Sequence, residues 1–129
     1  MKEFVLTKNE YEIMDLLWKE ERSLSRSDII ELSTDRNWKK NSFFSLINSL
    51  LEKGALEIDG FVKSKTNYGR AFKPTLSADE YAIMQININR KAQRLSVPAL
   101  VSGIIGGNID ISDIEELEKI LQERKKELK

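Results

Sequence analysis

The chain has 129 residues, 33% of them charged and 40% hydrophobic, with 21 Lys/Arg balanced by 21 Asp/Glu; such a length holds one domain, or one small domain with an oligomerisation extension. It contains no histidine and no cysteine, which excludes a Ser-His-Asp triad, a cysteine nucleophile, a Cys/His metal site and any disulfide. Its carboxylates fall mainly on helix exteriors, and no pair stands in a setting that would shift a pKa, so an enzyme has almost no residue support and no cofactor or metal is implied.

The opening "MKEFVLTKNEYEIM" lacks the apolar region of a signal peptide, and no apolar run approaches membrane-spanning length; a cytoplasmic protein without membrane insertion is expected. "LTKNEYEIMDLLWKEE" begins with a capping box, Thr7 as N-cap and Glu10 three residues on, with Leu6 and Tyr11 spaced for a hydrophobic staple. Ile13, Met14, Leu17 and Trp18 then share a face, which predicts a first helix. "LSRSDIIELSTD" repeats the device: Ser25 caps, Asp28 follows at the third position, and a short second helix ends near Ser33 or Thr34.

The third helix lies in "NWKKNSFFSLINSLLEKG". At 100° per residue Phe43, Leu46, Ile47, Leu50 and Leu51 gather on one side, and Gly54 suits a left-handed cap at its end. The other side carries Asn41, Ser42, Ser45, Asn48, Ser49 and Glu52. Two pieces of strand composition follow at 55–62 and 68–73, separated by the polar, basic "KSKTN", with Pro74 ending the second. Three helices and then a hairpin with a basic tip is the winged-helix order, the second and third helices forming a helix-turn-helix.

From Ser77 the pattern is helical again. Ser77 and Glu80 make a capping box before "EYAIMQININRKAQRL"; "SVPALVSGIIGGN" is a short apolar segment with Pro98 near its start; and "ISDIEELEKILQERKKELK" has Ser112 and Glu115 as a further capping box, with Ile114, Leu117, Leu121 and Leu128 near a heptad. The fold expected is mainly α with a small β-hairpin: a winged helix-turn-helix DNA-binding domain over residues 1–76 and a helical dimerisation domain over 77–129.

Charge distribution agrees with that division. Residues 1–35 hold five Lys/Arg and nine Asp/Glu, a net of −4; residues 36–76 hold eight and three, a net of +5; residues 77–129 hold eight and nine, a net of −1. An isolated amphipathic helix usually has a merely solvated polar side. Here the third helix follows Lys39 and Lys40 and precedes a basic hairpin, so its polar side becomes a candidate groove-reading surface. Asn41 and Asn48 can bond adenine, and Ser42 and Ser45 can reach bases or phosphates. Lys39 and Lys40 can neutralise phosphates while the helix start adds amide donors. Phe44 is either core or a thymine-methyl contact, core being slightly favoured. Lys63, Lys65 and Arg70 around the hairpin are either solvated or set against phosphate or the minor groove.

The later helices follow a complete winged helix, so an intersubunit role is expected for Ile83, Met84, Ile88, Leu95, Leu100, Ile104, Ile105, Ile114, Leu117 and Leu121, giving a homodimer for two symmetric half-sites. Pro98 and the Gly103–Gly107 region are either a corner between helices or an exposed, cleavable joint, the candidate bond being Gly103-Ile104. A reading from another class is a winged helix that binds protein and ignores DNA, since the third helix carries little charge.

Four stretches, "LTKNEYEIMDLLW", "NWKKNSFFSLINSLLEKGALE", "GRAFKPTLSADEY" and "ISDIEELEKIL", together resemble the penicillinase-repressor family, which includes the beta-lactamase and methicillin-resistance repressors and a copper-responsive branch. The resemblance covers residues 6–121. It implies a homodimeric winged-helix repressor of a palindromic operator in duplex DNA. For members near beta-lactamase genes it also implies a membrane sensor-peptidase that cleaves the dimerisation domain. The family often has Thr, Lys or Arg where this chain has Asn41, Ser42, Ser45 and Ser49. The copper branch has a C-terminal cysteine cluster that is absent here. The typical Asn-Phe cleavage bond is replaced at the comparable place by Gly103-Ile104.

Overall fold

The computed structural model describes residues 2–63 and 68–129. In chain order the elements are α1 (Lys8–Glu20), β1 (Leu24–Ser25), α2 (Arg26–Leu32), a 3-10 turn (Lys40–Ser42), α3 (Phe43–Lys53), β2 (Leu56–Lys63), β3 (Tyr68–Pro74), α4 (Ala78–Ala92), α5 (Val97–Ile105) and α6 (Ile111–Glu127). This is a mainly α, winged-helix architecture with a small antiparallel sheet in the order β1-β3-β2. The wing hairpin is therefore joined by a strand of two residues, too short to leave any alternation in the sequence: Leu24 pairs with Phe72 and Ser25 with Ala71.

The chain divides into two compact units, Met1–Ile88 and Asn89–Lys129. The first thus continues past the expected division after Leu76. Tyr81 of α4 explains the extension: it is buried, its hydroxyl accepts a hydrogen bond from the Leu6 amide at 2.9 Å, and its ring stacks on Phe4 at 5.8 Å. Gln85 adds a bond from its side-chain amide to the Phe4 carbonyl at 2.9 Å.

The core of the first unit is built from the stripes read in the sequence. Ile13, Met14 and Leu17 of α1 meet Ile29 of α2, Phe43, Ile47 and Leu50 of α3, and Phe72 of β3. Each fully buried side chain of this size stabilises the fold by about 1.5–3 kcal/mol relative to exposure. Helix starts are fixed by the expected boxes at Thr7–Glu10, Ser25–Asp28 and Ser77–Glu80. For α6 the expectation is corrected: its N-cap is Asp110, with Asp113 accepting the Asp110 amide at 3.4 Å, and Ser112 already lies inside the helix. Asp is as good an N-cap as Ser, and the earlier candidate adds helical hydrogen bonds.

Two glycines hold positive φ. Gly54 (φ 83) closes α3, its amide reaching the Leu51 carbonyl. Gly60 (φ 76) occupies a bulge in β2, where the pairing slips between Ile58 and Phe61. In the second unit, no residue of α5 or α6 is buried.

Candidate nucleic-acid interface

The segment joining α2 to α3 is pinned before the candidate surface begins. Arg36 donates to the Ile30 and Ser33 carbonyls at 3.3 and 3.1 Å and lies over the Trp38 ring. Asn37 donates to the Glu12 carboxylate through both its backbone and its side-chain amide. Trp38 and Phe43, both buried, then anchor the start of α3.

The expected helix start is corrected here. Asn41 and Ser42 belong to a 3-10 turn, in which the Ser42 and Phe43 amides donate to the Lys39 and Lys40 carbonyls. Those amides are already bonded and are not free donors for a phosphate. No side chain caps the turn or the helix, and the tighter turn pairs the first amides instead.

Asn41, Ser45 and Asn48 are exposed along one side of the turn and helix, and Ser42 is half-buried. Lys39 and Lys40 are exposed beside them. Phe44, for which the core was slightly favoured, is corrected: it is 52% exposed, with its ring edge-on to the buried Phe43 at 5.5 Å. One residue along a helix turns by 100°, which carries Phe44 off the buried stripe that Phe43 occupies. Arg70 is exposed on β3, its guanidinium 5.5 Å from the Phe72 ring. Lys63 ends β2, but its side chain, like the whole of Lys65, lies outside the described residues.

Ser49, assigned to the outer side, is also corrected. It is half-buried and donates to the Glu10 carboxylate at 2.5 Å. Glu10, read in the sequence only as part of a capping box, is 2% exposed and pairs with Lys53 at 2.5 Å. Burial pushes the Glu10 pKa up, but bonds from Lys53, Ser49 and the Thr7 amide outweigh it and hold the carboxyl below its ordinary value. Lys73 is likewise engaged, by Glu57 and Asp59 on the neighbouring strand. Among the described side chains of the basic segment, Arg36, Lys39, Lys40 and Arg70 thus have no carboxylate partner, and Arg36 is engaged by the Ile30 and Ser33 carbonyls.

Sequence reading missed one residue beside this surface. Arg26, the first residue of α2, is exposed and holds its guanidinium 5.3 Å from the Phe44 ring and 5.8 Å from the Phe43 ring. It lies outside the basic segment, inside the stretch whose net charge is negative, so charge counting gave no signal.

The residues assigned to dimerisation fall into two groups. Met84 is half-buried and packs on the core of the first unit. Ile104 and Leu121 are 65% and 64% exposed, and Leu95, Leu100, Ile105, Ile114 and Leu117 are half-exposed, as is Ile88. Exposed Ile111 and Ile120 join them without having been singled out. Gly103 and Ile104 lie inside α5, and the break between helices comes after Ile105; cleavage there would require the helix to unwind. Among the described residues no helix is long and apolar enough to cross a membrane.

The family model for penicillinase repressors matches residues 6–123. No curated protein matches the chain. A match across nearly the whole length, on a chain with this winged-helix fold, means that the protein belongs to the penicillinase repressor family of transcriptional repressors.

Proposed function

We propose that the protein is a homodimeric repressor that binds a palindromic operator in duplex DNA, one α3 in the major groove of each half-site. The observation that carries this reading is the exposed, uncharged side formed by Asn41, Ser45 and Asn48, bordered by Lys39, Lys40 and Arg70 that no carboxylate neutralises among the described residues. Amide side chains on a helix suit base edges, and flanking cations suit phosphates. Ser42, half-buried beside them, would reach backbone or base, and Lys63 and Lys65 would add to the cationic border.

Dimerisation is supported by the exposed apolar residues of α5 and α6, among them Val101, Ile104, Ile111 and Leu121. So much unburied aliphatic surface in one unit favours a partner surface of the same kind. DNA in the cytoplasm is the partner this predicts; cleavage by a membrane peptidase at Gly103–Ile104 is the less favoured release route, because that bond is helical.

The test is the pair Asn41→Ala and Ser45→Ala, made together and titrated against operator and random duplex. The expected outcome is a large loss on operator with little change on random DNA. Equal losses on both would overturn the assignment of base reading to this side of α3. A protein that bound no DNA and instead captured a protein partner with weak salt dependence would favour the interaction-module reading.

A further inference from the structure

We propose that Arg26 reads a guanine in the major groove, held on Phe44 as the guanidinium that α3 does not itself carry; this rests on the repressor reading above. The exposed side of α3 presents Phe44, Ser45 and Asn48, with Lys40 and Asn41 in the turn before it and no guanidinium among them. Phe44 stands half in solvent on that side, and a phenyl ring there has no donor or acceptor to offer a base edge. Arg26 reaches it from the neighbouring helix, with the charge centre 5.3 Å from the ring centroid.

Two features mark this arginine; the first it shares with Arg70 of β3, whose guanidinium lies over Phe72. Arg22 is drawn to Glu20 and Asp28, and Arg36 spends its donors on the Ile30 and Ser33 carbonyls. Among the described residues Arg26 has ring contacts alone, with neither a hydrogen bond nor an ion pair. A cation–π contact positions the charge while leaving the N–H donors unspent. The planar fork matches guanine O6 and N7 in a bidentate pair, the commonest specific contact in the major groove.

The second feature is the anchor beneath the pair. Phe43 is fully buried, packs against Phe72 and Trp38, and is itself 5.8 Å from the Arg26 charge centre. The arginine is therefore referenced to the core as well as to Phe44. A side chain held in place before binding loses less freedom on binding, which favours discrimination over loose attraction. A phosphate contact would need only charge, and lysine would serve equally; the aromatic seat is what a planar guanidinium uses.

The experiment titrates wild type, Arg26→Ala, Arg26→Lys and Phe44→Ala against the operator, a scrambled duplex and operators in which each G·C pair is changed in turn, with thermal melts to establish that every variant is folded. Arg26→Ala is expected to weaken operator binding on the order of ten- to a hundredfold and scrambled binding only a few-fold, and to abolish the wild-type penalty at one G·C pair per half-site. Arg26→Lys restores scrambled binding but only part of that penalty. Phe44→Ala loses part of the same penalty, and its effect is not additive with Arg26→Ala. Equal weakening of all duplexes by Arg26→Ala would make the residue a phosphate contact and overturn the inference, as would unchanged base preference. A wild type with no preference for operator over scrambled DNA would overturn the repressor reading itself; a wild type that discriminates while Arg26→Ala keeps every preference overturns the role of Arg26 alone.

Discussion

Removing Lys53 should cost far more than its place near the surface suggests. Its ammonium donates to the Glu10 carboxylate at 2.5 Å and to the Val5 carbonyl at 2.8 Å, while Glu10 is 2% exposed and Lys53 itself 28%. Lys53→Ala leaves a buried carboxylate with only the Ser49 hydroxyl and the Thr7 amide as donors. Breaking a buried pair from one side costs about 3–5 kcal/mol; partial solvent access at the lysine end puts the expectation near the lower bound, about 3 kcal/mol. Glu10→Gln keeps the shape and one acceptor, and the freed ammonium can turn to water, so about 1–2 kcal/mol is expected. Urea titration with an unchanged slope reads both values as shifts in midpoint.

The pH dependence supplies the sharper check. In wild type the folded-state pKa of Glu10 is lowered, so its contribution is present above the ordinary value of 4.5 and is lost as pH falls through the lowered value. In Lys53→Ala, burial is opposed by fewer bonds, and the carboxyl gives up its charge more readily. The gap between the two proteins should therefore shrink as pH is lowered from about 7 to about 4. A gap below about 0.5 kcal/mol at neutral pH, or one that does not change on acidification, would refute the reasoning.

Helix ends offer an opposed pair of tests. Gly54→Ala meets no neighbouring atom but must hold φ 83, so a loss of about 1–2 kcal/mol from conformation alone is expected in a denaturant titration. Glu21 holds φ 54 without being glycine, and Glu21→Gly should gain up to about 1 kcal/mol by the same measurement. The two tryptophans should also differ. Trp18→Phe loses a 2.9 Å bond from the indole to the Leu76 carbonyl, whereas the buried Trp38 indole N–H has no acceptor among the described residues; Trp18→Phe should lower the melting temperature more. Leu121→Asp, at a position 64% exposed, should leave the melting of the first unit intact while shifting sedimentation from dimer to monomer.

Much of the fold was legible because its signals are local. The boxes at Thr7–Glu10, Ser25–Asp28 and Ser77–Glu80 and the stripe from Phe43 to Leu51 depend on neighbours a turn away. What escaped depends on contacts between distant residues. The ion pair of Glu10 with Lys53 joins two helices, and Ser49, which helical spacing turns outward from the Phe43 stripe, is drawn to it. Arg26 reaches Phe44 from another helix, and a strand of two residues leaves no period to read. The exposed face of α3 was legible residue by residue in Asn41, Ser45 and Asn48, while the pairing of Lys73 away from the surface was not.

The most direct test of the central claim is a fluorescence-anisotropy titration of the full chain against the DNA upstream of its own gene, beside a scrambled duplex, over a salt series. If Lys39, Lys40, Lys63, Lys65 and Arg70 of both subunits all meet phosphates, the logarithm of affinity should fall against the logarithm of salt with a slope of about −9, with the upstream duplex bound more tightly throughout. Binding that ignores salt, or equal binding of the two duplexes and of neighbouring promoters, would contradict it.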